Sequence, residues 1–194
     1  MSTRVPGVER SQAGPLVKAA YTYTARQYGK VVEPLAVAAH HRPTMLAMGA
    51  FETALERSHK VPKRLKVLGE LKAALMAGCE FCIDIGSWIA RSEGVTEQEL
   101  RHFHEYRESD LFSELDRLVI DYAAGMTSTP VDVSDDLVAA LRAHLSDEQL
   151  VELTNAIAWE NWRARFNWAL GIGSQGFSDG AFCPMAERGE ARAT

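Results

Sequence analysis

From residue 15 to residue 170 the apolar side chains recur at helical spacing, and no run alternates apolar and polar residues as a half-buried strand requires. That pattern leaves an all-α fold as the expectation. Leu16, Ala19, Ala20, Tyr23 and Gln27 trace one stripe that Gly29 interrupts, with Pro15 at a first-turn position. A short helix over 33–41 stops at Pro43, which in turn opens a helix over 44–58. Met45 and Met48 on that helix, like Met76 further on, read as core fillers. Pro62 starts the next helix, on which Leu65, Leu68, Leu71 and Leu75 share a face, while Glu70 sits opposite among Ala73, Ala74 and Ala77. Another helix spans 80–91 before Gly94. Thr96 to Glu99 and Ser146 to Gln149 fit capping boxes, and helices are expected over 96–107, 111–126, 134–145 and 147–170. The last carries Trp159, Trp162, Phe166 and Ala169 as its apolar stripe, followed by a segment punctuated by Gly171, Gly173, Gly176 and Gly180. The result is about eight helices in a single domain over 13–185, with a loosely held arm at 1–12 and a flexible tail at 186–194.

Chemistry concentrates at one place on this scaffold. Cys79-Glu80-Phe81-Cys82 lies between two helical segments, so its two thiols fall within one turn and can close a small ring. A thiolate near a helix N-terminus is stabilised by unpaired N–H groups and the helix dipole. The pair suits dithiol/disulfide redox or half of a metal site. A zinc site needs about four ligands, and only Cys183 and scattered histidines remain to complete one, so no metal and no other cofactor is expected. His102 and His104 point to different helix faces, as do His40 and His41.

The formal net charge of -5, with both signs interspersed, argues against nucleic acid as the partner. No apolar run approaches a membrane span, and residues 1–7 lack a signal-peptide core. Three cysteines, two of them in a CxxC, point to the reducing cytoplasm rather than to a disulfide framework.

Residues 65–93, a leucine- and alanine-rich helix ending in Gly-Cys and followed by the second cysteine, Ile83 and Asp84, resemble the carboxymuconolactone decarboxylase/AhpD-like family. Residues 161–171 are similar to the closing helix of some of its members. The resemblance covers roughly residues 30–175. It implies an all-helical domain assembled as a homotrimer or homohexamer, and a peroxidase in which Cys82 attacks a small hydroperoxide, Cys79 resolves the product, and a dithiol protein supplies electrons. Family members with that activity carry a glutamate and a histidine where this chain has Val67 and Gly86. Glu70, one turn beyond Val67, is the substitute proton relay, with Asp84 as a second candidate that projects away on a helix. The local alternative for Glu70 is an i, i−4 ion pair with Lys66. Asn161, Arg165 and Asn167 read as polar groups that order the glycine-rich segment. Two other functions stay open: a lyase of the lactone decarboxylase type acting on a small carboxylated ring, and a catalytically idle, redox-sensing scaffold.

Overall fold

Short side chains placed just before several of the later helices fix where those helices begin. Thr96, Ser113 and Ser146 each accept a backbone N–H three residues on, and Glu99, Asp116 and Gln149 return the bond to the cap. Each such cap contributes about 1 kcal/mol. In the computed structural model, which describes residues 3–184, the elements are α1 (Pro15–Tyr28), α2 (Glu33–Ala38), α3 (Arg42–Glu56), α4 (Lys63–Ala77), α5 (Glu80–Ser92), α6 (Glu97–Arg101), α7 (Glu114–Thr127), α8 (Asp135–Arg142) and α9 (Asp147–Leu170). No strand occurs among the described residues. The helix expected over 96–107 is shorter: α6 gives way to a 3-10 turn, Phe103–Glu105. The helix expected from 111 starts at 114, because Ser113 and Asp116 form a capping box.

α4 is the central element. It is buried on nearly every side and packs against α5, α7 and α9. Gly69 sets the spacing to α9: a Cβ there would come within 3.0 Å of the Ile157 side chain. Leu65, Ala73, Val119, Ala123, Leu153 and Ile157 make the core between α4, α7 and α9. A second core continues through Leu68, Leu71 and Ile83 around α5. α1, α2 and α3 close over a third, built on Val17, Tyr21, Met45 and Met48. Met76, expected in a core, is 41 % exposed.

The segment before α1, expected as a loose arm, bonds to α1, to α2 and to the last residue of α9. Arg4 donates its N–H to Leu170 O, Val8 donates to Ala36 O, and Tyr21 Oη donates to Val8 O. The tail expected at 186–194 lies outside the described residues.

Candidate functional site

α4 ends at Gly78, whose φ of 75° is a left-handed conformation that glycine adopts without strain. The chain reverses in that one residue, and Cys79 becomes the N-cap of α5. Its sulfur accepts the N–H of Cys82 at 3.2 Å. Cys79 and Cys82 are joined as a disulfide, their Cα atoms 5.3 Å apart, at the positive end of the α5 dipole. Cys79 is 1 % exposed and sealed behind its partner, whereas Cys82 lines a cavity of about 720 Å³. That cavity runs out between α1 and α3, where the exposed side chains of Leu16, Tyr23 and Leu46 mark its mouth.

The cavity wall around Cys82 is shared by α4, α5 and α9, and α9 contributes Glu160, Arg163 and Asn167. Glu160, Ala164 and Asn167 lie on one face of α9, at i, i+4 and i+7, all buried. Asn167 aims its amide nitrogen at the sulfurs, 3.4 Å from Cys82 Sγ and 3.7 Å from Cys79 Sγ. A donor at this place favours the charged form of a sulfur. The Asn167 side chain thus contacts the disulfide, while Asp84 holds the glycine-rich segment. That carboxylate, two residues past Cys82, accepts Ser174 Oγ at 2.7 Å and the N–H groups of Gln175, Phe177 and Ser178. Burial works to raise the Asp84 pKa, but these four donors prevail and hold it below the usual carboxylate range.

Glu70 lines the same cavity as Cys82 and is not paired with Lys66. Arg163 Nη2 donates to it at 2.9 Å, while Lys66 reaches Glu152 instead, at 2.6 Å. Tertiary partners on α9 replace the local helix pair. Arg163 also donates through Nη1 to both oxygens of Glu52, at 3.3 and 3.1 Å. Its Nε approaches Glu160 Oε2 to 2.8 Å, as an ion pair not aligned as a hydrogen bond. Three carboxylates thus surround one guanidinium. Burial outweighs Arg163 at Glu70 and pushes its pKa up, with Glu52 reinforcing the shift. At Glu160 burial dominates again, Glu70 and Glu52 add to it, and the pKa is pushed up to about 8. Glu160 Oε1 and Asn167 Oδ1 are buried with no hydrogen-bond partner.

Val67 and Gly86 also line the cavity, so the two positions that would carry an acid and an imidazole instead leave apolar wall and open space. A Cβ on Gly86 would meet only Leu71 Cδ1, at 3.8 Å. The lone thiol, Cys183, contacts Ser87 Oγ at 3.8 Å. Among the described residues, no group of three His, Cys, Asp or Glu side chains is placed to hold a metal ion. Nor is any helix long and apolar enough to cross a membrane.

A helical domain with a dithiol at a helix N-terminus, opening on a deep cavity, defines the class of this protein. The chain belongs to the carboxymuconolactone decarboxylase family, whose model matches residues 42–125. It is 34% identical over 152 residues to the uncharacterized Escherichia coli protein YnjA, covering 78% of this chain and 84% of that one. Its fold matches an uncharacterized peroxidase-related protein from Ralstonia eutropha with an alkylhydroperoxidase AhpD core, at a TM-score of 0.80 and 18% identity over 90% of this chain and 94% of that one. It also matches a cysteine-to-alanine variant of the debrominase Bmp8 in complex with 2,3,4-tribromopyrrole, at a TM-score of 0.78 and 22% identity over 91% of this chain and 92% of that one.

Glu160, Arg163 and Asn167 are the site residues that sequence reasoning missed or assigned elsewhere. One signal was available: polar residues at 160, 163 and 167 fall at i, i+3 and i+7, in line with Leu153, Ala156, Ile157 and Ala164 rather than on a solvated face.

Proposed function

We propose that this protein is a thiol-dependent oxidoreductase that cycles Cys79 and Cys82 between dithiol and disulfide and reduces a small hydroperoxide. The observation that carries the reading is the bonded pair at the buried end of a solvent-open cavity, with only Cys82 facing the lumen. The Cys82 thiolate attacks the outer peroxide oxygen; the O–O bond breaks and leaves a sulfenic acid and an alkoxide, which takes up one proton. The Cys79 thiol then displaces hydroxide from Cys82, closing the disulfide and releasing water. A dithiol protein reduces the bridge by exchange. Glu70, held by Arg163 at the cavity wall, belongs to the acid cluster that serves the thiol proton. A cavity of about 720 Å³ is far larger than hydrogen peroxide needs, so an organic hydroperoxide fits it.

Cysteine replacements test this reading. Cys82→Ser is expected to abolish hydroperoxide consumption. Cys79→Ser is expected to stop after one equivalent, with a sulfenic acid trapped on Cys82. Wild-type protein that forms no bridge and loses no thiol with excess organic hydroperoxide would overturn the reading. Turnover of a carboxylated ring that survives replacement of both cysteines would favour a lyase.

A second reading rests on the apolar walls around Cys82 and on the fold shared with a debrominase. Here the Cys82 thiolate takes bromine from a bromoarene as Br⁺, and the carbanion left behind takes a proton. The Cys79 thiol then displaces bromide, and the same bridge closes. Bromide release from 2,3,4-tribromopyrrole by the reduced protein, measured beside hydroperoxide consumption, distinguishes the two.

A further inference from the structure

Both reactions above leave an anion in the cavity that must be protonated, and both consume a thiol that must first give up its proton. Val67 and Gly86 offer nothing for either task. Among the described residues, the buried polar atoms of the cavity wall that lack a hydrogen-bond partner are on α9. Glu160 Oε1 has no hydrogen-bond partner, and Glu160 as a whole is 5% exposed. Asn167 Oδ1 is likewise unpaired, and Asn167 is 2% exposed. Both residues line the cavity, seven positions apart on one helix face, or about 10 Å along the axis. Two acceptors at that separation, beside a lumen wide enough for water, are far enough apart for about three waters to bridge them. The amide nitrogen at the Cys82 end of this span already contacts the sulfur, at 3.4 Å.

We infer that Glu160 is the proton carrier of the dithiol, taking up the Cys82 proton when the thiol ionises and returning it to the leaving anion through the α9 face of the cavity. The inference deepens the oxidoreductase reading and rests on it. Charge selects Glu160 among the three acids. Glu52 and Glu70 each hold a hydrogen bond from Arg163, whereas Glu160 has only the misaligned contact with Nε. One guanidinium neutralises one carboxylate, so adding a proton to the least well-bonded acid lowers the net charge of the cluster from −2 to −1. The groups facing Glu160 are Glu52 of α3, Glu70 of α4 and Arg163 on its own helix. Lys66 of α4 and Tyr28 of α1 lie beyond them, Lys66 acting on Glu70 and Tyr28 facing Glu56 and Glu52 of α3 ahead of Arg163. The protons balance over one cycle. The Cys82 proton goes to Glu160 and then to the alkoxide, and the Cys79 proton leaves with the hydroxide as water. A bulky hydroperoxide is the oxidant, and the two thiols supply both electrons.

The full-length protein tests this in two measurements. The first is the pH profile of Cys82 oxidation by cumene hydroperoxide in the wild type, Glu160→Gln, Glu160→Asp and Glu70→Gln. Glu160→Gln is expected to slow oxidation at neutral pH by about a hundredfold, at the low end for loss of general acid–base help, and to remove the profile's limb near pH 8. Glu160→Asp is expected to keep that limb. The second needs no peroxidase activity: a reduced-minus-oxidised infrared difference spectrum at about pH 9, where Glu160 of the oxidised protein is ionised, with diamide as oxidant, read for a carboxylic-acid band. Such a band in the wild type that persists in Glu70→Gln supports the assignment. A wild type that ignores hydroperoxide yet shows the band overturns the peroxidase reading and leaves the proton carrier standing. Glu160→Gln with wild-type rate and profile, or no carboxylic-acid band in the wild-type difference spectrum, overturns the proton carrier.

Discussion

Two buried acids on α9, eight residues apart, are treated in opposite ways. Glu152 has all its acceptors in use: Lys60 and Val61 donate their N–H groups to Oε2, at 2.8 and 3.2 Å, and Lys66 Nζ reaches Oε1 at 2.6 Å. Burial would raise its pKa, but Lys66 and the Lys60 amide prevail and lower it. Glu160 shares one cation with two other acids, keeps an unpaired oxygen, and is pushed upward by burial to about 8. The first acid is a structural brace between the loop at 58–61, α4 and α9. The second is held in a state the fold does not complete, beside the cavity that contains Cys82. Burial alone does not mark a functional acid; burial with incomplete satisfaction does.

The largest effect separating the two comes from removing the brace's cation. Lys66→Met leaves the Glu152 charge buried without its cation, and is expected to cost about 3–5 kcal/mol in urea unfolding. Lys66→Met combined with Glu152→Leu is expected to recover most of that loss. If the single replacement is harmless, the brace is not electrostatic. Thiol oxidation is expected to stay intact in every variant at this end.

Next in size are the opposed pH limbs. Glu152, with a lowered folded-state pKa, adds stability that is present above the unfolded value of 4.5 and lost as pH falls through the folded one. Glu160 binds its proton more tightly folded than unfolded, so stability declines as pH rises from 4.5 toward about 8. At about 1.4 kcal/mol per unit, that decline amounts to a few kcal/mol. Unfolding midpoints across pH 3–9 are expected to lose the alkaline decline in Glu160→Gln and to keep the acid one.

The smallest effect concerns the donor between the two regions and the sulfurs. Asn167→Ala is expected to raise the Cys82 thiol pKa by about one unit, read from the pH dependence of its alkylation, with a stability change near 1 kcal/mol. An unchanged alkylation profile would remove Asn167 from the dithiol's electrostatics.

Much of the scaffold was legible because helix signals are local. The capping boxes at Thr96 and Ser146, and the turn at Gly78, act within four residues of where they sit. The dithiol was legible for the same reason. The acid cluster was not, because its partners are remote. A rule for neighbours four apart pairs Glu70 with Lys66, but both prefer α9 residues 93 and 86 positions away. The stripe on α9 was misread for a related reason. Hydropathy picks out Trp159, Trp162 and Phe166, which form a stack with ring centroids 4.5 and 5.1 Å apart on a partly exposed face, Trp162 being 38% exposed. The fully buried face is the one carrying Glu152, Glu160 and Asn167, and its charges conceal it.

Gly78 and the cap at Cys79 bring the thiols together within a few residues, yet the amide that serves them is 88 residues from Cys79 and 85 from Cys82. During synthesis, at roughly 5–20 residues per second, α5 leaves the ribosome several seconds before α9 exists. Through that interval the nascent chain carries the two thiols without Asn167 or Glu160. The contact between the amide and the sulfurs therefore forms only once α9 has been made and docks against α4.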